Sequence, residues 1–403
     1  MKKKIIFIQY LKFLDFHYER YEIAYLKKFF QVEIHDLSYI FNKKSHQNYN
    51  YIRQKHKVLK FYDLNSWSKK IDKDHKVFRE NLFLFNEGTP LNFKLLLFCI
   101  YFLRKNINFA FLQLAALPRL NIYRDYSFKE NLYYKIHRIF MRNRHVFYDF
   151  RVSIISRLIK FISLIYPPKI IFTNGKIDLN ILKKNFPKTK IISLNSWDCS
   201  KIFIKKKVDY TIGRKFGVYL TPCSNKSAGD SSAYGYKRLE DAKKVFRYVN
   251  FGLNKIEKKY KTKIIIALHP RGEENIKRFK NLGNRETFKY KTMELIKNSE
   301  FVITHGSIAT AYAVLFYKPI LFISTKENNQ NLFFIRFNKK MAEFFQAKFI
   351  DINDFRNIEV PDKISISKKS KRKYNYFKNN YLLSNSFKKT PNYLIIKKIL
   401  NNF

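Results

Sequence analysis

Two short turns carry the residues whose types and spacing can do chemistry. His269-Pro270-Arg271-Gly272 ends the apolar run Ile264 to Leu268, and His305-Gly306-Ser307 ends Phe301 to Thr304. A neutral imidazole donates to a phosphoryl oxygen, and a guanidinium holds two. In an open parallel sheet, ligands gather at the carboxyl edge of the strands, where both turns are expected. The second turn leads into an uncharged stretch, Ile308 to Phe316, which predicts a buried helix with its free N–H groups aimed at the same place. Ser307 is the expected helix N-cap, worth about 1 kcal/mol. Gly306 admits a ligand to that turn, and Thr310 either caps or faces it. We read the two turns as one pocket for a nucleotide's phosphate.

The elements needed to position these residues follow from the apolar runs. Lys4 to Tyr10 reads as a first strand, a helical stretch follows through Leu26 and Phe30, and Val32 to Leu37 reads as a second strand. This is a βαβ opening. Lys55 to Pro118 alternates aromatic and basic clusters and suggests helices that cover a sheet or touch a membrane. Glu130 to Ile165 is helical by periodicity, and Lys169 to Thr173 and Lys190 to Leu194 are strands. Eight glycines then crowd together: Gly213, Gly217, Gly229, Gly235, Gly252, Gly272, Gly283 and Gly306. Such a cluster marks a second unit in which backbone turns tightly or approaches a ligand. Within it, Leu239, Ala242, Phe246, Val249, Leu253 and Ile256 form an amphipathic helical stripe ahead of the Ile264 strand. The chain therefore divides into an α/β unit over 1–208, a second α/β unit over 209–360 and a basic helical tail over 361–403.

Composition sets wider bounds. Lys and Arg number 80 against 31 Asp and Glu, a formal charge of +49, so an anionic partner is favoured. The lysines run evenly along the chain and no nucleic-acid module is recognisable, so nucleic acid is not an expected partner. Cys99, Cys199 and Cys223 are scattered, without metal-ligand spacing, which fits a reducing, cytoplasmic setting. Leu95 to Leu103, fenced by Lys94 and Arg104, falls well short of the roughly 20 residues a spanning helix needs. Asp72-Lys73-Asp74 is the one D-x-D, and its lysine-rich surroundings read as a solvated surface.

The two turns resemble the donor-binding half of GT-B glycosyltransferases that build bacterial capsule and lipopolysaccharide. That resemblance covers roughly 217–325 and implies two Rossmann-like domains facing a cleft. It implies that His269, Arg271 and Ser307 bind the phosphate of a nucleotide-sugar donor, with Gly306, Pro270, Gly272 and His305 shaping the turns. Ile308 stands where related sequences often carry a second hydroxyl. No cofactor or metal is expected beyond the nucleotide-sugar substrate, because a fixed helix N-terminus with His and Arg can stabilise the leaving phosphate.

The acceptor would be a glycan or lipid-linked glycan, and the positive charge suits a peripheral position on the anionic inner-membrane surface. Its hydroxyl needs a base from the first unit. Asp15, Glu19 and Asp178 are the chosen candidates, with His17, Asp198 and Asp230 as rivals. Inversion is the expected outcome, since one base suffices. A polyol-phosphate transferase or a nucleotide-sugar 2-epimerase would use a similar phosphate pocket. A nucleic-acid-binding protein and a non-catalytic interaction protein are the other classes.

Overall fold

The computed structural model describes residues 2–41, 56–87, 100–115, 117, 118, 120, 154, 157, 158, 161, 162, 165–204, 212–221, 242–270, 282–324, 332–352 and 358–403. β1 (Lys4–Gln9) is buried along its whole length. Its alternate residues feed two different cores, Ile5 and Phe7 on one face and Ile6 and Ile8 on the other. A strand covered on both faces has no need of polar alternation, which is why it reads as a continuous apolar run.

Around β1 stand β2 (Gln31–Asp36), β3 (Leu59–Lys60), β4 (Leu82–Glu87), β5 (Asn108–Gln113), β6 (Ile170–Asn174) and β7 (Lys190–Leu194). They form a sheet in the order β3-β2-β1-β4-β5-β6-β7, paired in parallel throughout. β4 and β5 fall inside the stretch expected to be helical cover, so the first sheet is wider than the sequence reading made it. The predicted helix over Glu130 to Ile165 lies almost wholly outside the described residues.

A second sheet repeats the plan. β8 (Phe216–Leu220), β9 (Lys263–Leu268), β10 (Thr287–Lys289), β11 (Phe301–Thr304), β12 (Ile320–Ser324) and β13 (Lys348–Asp351) run in the order β10-β9-β8-β11-β12-β13, again all parallel.

The helices used below are α1 (Asp15–Arg20), α2 (Ile23–Leu26), α3 (Leu64–Phe78), α4 (Gly175–Asn185), α5 (Trp197–Ile204), α6 (Ala242–Tyr260), α7 (Thr310–Leu315), α8 (Leu332–Phe345), α9 (Lys368–Phe377) and α10 (Asn392–Asn401). Among the described residues, no helix is long and apolar enough to cross a membrane.

The end of the chain ties the two halves together. Tyr374 and Phe377 of α9 pack in the core of the second sheet, whereas Ile395, Ile396 and Leu400 of α10 pack in a core of the first. The crossing between them is held by amides. Asn174 Nδ2 donates to the Tyr381 carbonyl at 2.6 Å, and Asn195 Nδ2 to that of Thr390 at 2.7 Å. Asn392 donates to the Asn195 carbonyl at 2.8 Å and accepts from the Asn195 N–H at 2.9 Å. Such reciprocal pairing satisfies buried backbone that would otherwise cost about 1–3 kcal/mol per group.

Glu22 closes this junction from the first half. Its Oε2 accepts from the N–H of Tyr393 at 2.8 Å, in the first turn of α10. Burial pushes its carboxyl up from 4.5 to about 7, against the opposing hydrogen bonds from Ser200 and the backbone of Tyr393 and Asn392. The folded protein therefore keeps a proton that the unfolded chain releases between pH 4.5 and 7, and stability falls as pH rises through that window. The loss amounts to about 3 kcal/mol above pH 7. Melting temperature recorded from pH 4.5 to 8 should show this decline in the wild type and a flatter profile in Glu22→Gln. Parallel profiles would remove Glu22 as its source.

Candidate functional site

In both sheets, chain order reverses beside the first strand, between β1 and β4 and between β8 and β11. Crossover connections leave such a point in opposite directions, opening a crevice outside the carboxyl ends of the two strands, where ligands of open α/β sheets bind.

At the second switch point, β9, β8 and β11 lie side by side. Their ends bring together the two turns singled out by sequence. The N–H of His269 donates to Thr221 Oγ1 at 2.9 Å, joining the end of β9 to the end of β8. His305, just past β11, is half-buried and its Nε2 meets Tyr219 Oη at 2.8 Å. Its ring also hydrogen-bonds the backbone of Ile323, while burial lowers its pKa to about 4. His305 is thus a neutral strut beneath the turn.

Gly306 has φ +79°, and a Cβ there would lie 2.5 Å from Asn338 Oδ1 of α8, so both conformation and space demand glycine. Ser307 differs from its expected role as helix cap. The N-cap of α7 is Ala309, and Ser307 Oγ instead accepts from the Ala309 N–H at 3.2 Å. The Ser307 carbonyl accepts from the Thr310 N–H at 3.0 Å, a tight turn that postpones the helix by two residues. Thr310 Oγ1 is buried without a hydrogen-bond partner among the described residues. Pro270 is half-buried at the end of its turn, while Arg271 and Gly272 lie outside the described residues.

At the first switch point, Gln9 ends β1 and Glu87 ends β4. Gln9 Nε2 donates to Tyr21 Oη at 3.0 Å, and Tyr21 in turn donates to Glu87 Oε2. Arg20 approaches Glu87 Oε1 at 3.9 Å. This cluster was not singled out from sequence, although the signal was present. Phe83-Leu84-Phe85 ends at Asn86-Glu87-Gly88, an apolar run closed by polar groups and a glycine, as in the other two turns.

The two halves meet through helices that follow these edges. α5, which follows β7, contacts α7 of the second half, and Tyr312 of α7 hydrogen-bonds Asp198 of α5. Burial raises the Asp198 carboxyl, opposed by the Arg20 charge, by Tyr312 and by Lys201.

The acids chosen from sequence lie on two helices of the first half. Asp15 begins α1, 3.9 Å from His56. Glu19 is turned to solvent, 60% exposed, with Lys201 Nζ at 3.1 Å. Asp178 lies half-buried in the first turn of α4. Among the rivals, His17 is buried with Nδ1 accepting from the Leu14 N–H at 3.0 Å, and Asp230 lies outside the described residues.

The D-x-D is not uniformly solvated, as its surroundings had suggested. Asp72 is half-exposed and pairs with Lys105 at 2.6 Å, but Asp74 is buried against Lys4 and Lys70. Residues two apart on a helix face different ways, so a lysine-rich neighbourhood describes only one of them.

No protein-family model and no curated protein sequence matches the chain. Solved structures do. The wall teichoic acid polymerase TagF superposes with TM-score 0.51 at 10% identity, over 100% of this chain and 89% of that one. The fold is GT-B-like. The UDP complex of S. aureus MnaA aligns with TM-score 0.46 at 13% identity, over 87% of this chain and 84% of that one. The calicheamicin glycosyltransferase CalG4 aligns with TM-score 0.42 at 8% identity, over 93% of both chains. At these identities the likeness concerns architecture, two parallel Rossmann-like halves with a helical tail, and site chemistry must be argued from this chain's own residues.

Proposed function

We propose that the protein is a nucleotide-sugar-dependent glycosyltransferase acting on a bacterial surface glycan or its lipid-linked precursor. The observation that carries this reading is the convergence of the β9 and β11 turns at the second switch point, with Glu87 ending a strand at the first. The donor's phosphate lies against His269 and the Gly306-Ser307 turn, with Thr310 and Arg271 as further contacts and Pro270, Gly272 and His305 as support. Negative charge grows on that phosphate as the glycosidic bond breaks, and fixed N–H donors with a cation stabilise it where it develops.

On the facing edge the acceptor hydroxyl attacks the anomeric carbon and its proton passes to a carboxylate. Glu87 is the acid we favour, because it sits at the switch point itself. Asp15, Glu19 and Asp178 are the other acids proposed for this side. One displacement with one base gives inversion. The excess of lysine would hold such an enzyme against the anionic inner face of the membrane, where lipid-linked glycans are assembled.

A thermal-shift series against CMP, CDP, UDP, GDP and their sugar conjugates tests the donor pocket. A nucleotide at 100 times its Kd adds about 2.7 kcal/mol of stability. One nucleotide class should stabilise the wild type and do so much less for His269→Ala. No shift by any of them would remove the main support for the pocket. Release of an epimerised nucleotide sugar without acceptor would favour epimerase chemistry instead.

A further inference from the structure

Arg20 ends α1, with its guanidinium over two rings, 4.5 Å from the centroid of Trp197 and 5.2 Å from that of Phe16. The side chain is 26% exposed. The one carboxylate oxygen within ion-pair range among the described residues is Glu87 Oε1, at 3.9 Å, too far for a hydrogen bond. Glu87 Oε2 is taken by Tyr21, and Asp198 by Tyr312. Lying over two aromatic rings restrains the guanidinium, and cation–π contact leaves its N–H donors available for hydrogen bonds. A fork pre-organised in this way matches a planar pair of anionic oxygens, and binding them costs little further side-chain entropy.

We infer that Arg20 binds an anionic group on the sugar substrate, a carboxylate or phosphate borne by the sugar itself and distinct from the donor's nucleotide phosphate. The inference rests on the nucleotide-sugar reading and assigns the substrate class: at least one of the two sugars joined is acidic. Arg20 belongs to the first half and the donor turns to the second. One group can therefore hold the nucleotide while the other selects the sugar.

Calorimetric titrations of the wild type, Arg20→Gln and Arg20→Lys separate the possible sources of the acid. A donor arm compares UDP-glucuronate with UDP-glucose, and CMP-N-acetylneuraminate with CMP. An acceptor arm compares sialyllactose with lactose, and glucose 6-phosphate with glucose. In one arm the acidic member should bind more tightly to the wild type. It should then lose roughly ten- to hundredfold in affinity in Arg20→Gln, with the neutral member unchanged. Arg20→Lys keeps the cation and lacks the fork, so it should lose less than Gln and still fold if Gln does not. Equal losses for acidic and neutral ligands, or no preference for the acid in either arm, overturn the inference. A failure of the donor reading looks different, because then neither UDP nor CMP binds even to the wild type.

Discussion

Glu87→Gln should lower kcat by about two to four orders of magnitude and leave nucleotide affinity nearly unchanged, the signature of a lost general base. Three features single out Glu87. It ends the central strand β4 at the switch point, its carboxylate is oriented by the Tyr21 hydroxyl, and it remains 33% exposed. The amide is close in size and still accepts from Tyr21, so a folding defect should not confuse the result. The comparison with the other acids gives the test its force. Glu19 is 60% exposed and holds Lys201 at 3.1 Å. Glu19→Gln should therefore change kcat by less than about fivefold, since exposed ion pairs contribute about 1 kcal/mol or less. A larger loss in Asp178→Asn or Asp15→Asn than in Glu87→Gln would move the base to α4 or α1.

The two turns of the second sheet were legible because strands that end at a polar turn interrupt the apolar pattern. β9 and β11 are short runs of Ile, Val and Leu closed by His-Pro and His-Gly, and glycine is rare enough in this chain for each one to count. The first sheet was less legible. Leu82 to Phe85 and Asn108 to Leu112 are covered on both faces, so they lack the alternation that marks a half-exposed strand. Their Phe and Leu residues suit a buried helix equally well, and periodicity alone does not separate the two. Missing β4 meant missing Glu87, the residue that ends it. Ser307 shows a smaller limit. A favoured capping residue beside a helix predicts a cap, but the three-residue turn that delays α7 is set by Gly306 against Phe337 and Asn338 of α8. That contact spans thirty residues of sequence and leaves no local trace.

Lys4→Met should cost about 3–5 kcal/mol of stability, the penalty for stranding buried charge. Lys4 opens β1 with its side chain 2% exposed, 2.7 Å from Glu33 Oε1 and 3.0 Å from Asp74 Oδ2. Asp74 also accepts from Lys70 at 2.7 Å, and Glu33 meets His35 Nε2 at 3.1 Å, whose Nδ1 accepts from the Trp67 indole at 2.9 Å. The lysine thus sits at the centre of a network joining β1, β2 and α3. Those charges hold Glu33 down to about 2, chiefly through hydrogen bonds from His35 and Lys4 that outweigh the cost of burial. Removing Lys4 leaves Lys70, 29% exposed, to balance two acids alone. Urea midpoints at constant m report the loss directly. The double variant Lys4→Met/Asp74→Leu should recover a good part of it, because deleting both partners of a buried pair avoids the stranded charge. A Lys4→Met midpoint within about 0.5 kcal/mol of the wild type would sink the argument, since surface changes alone stay in that range. Recovery in the double variant would further mean that the acid of this D-x-D which turns inward serves packing of the first half.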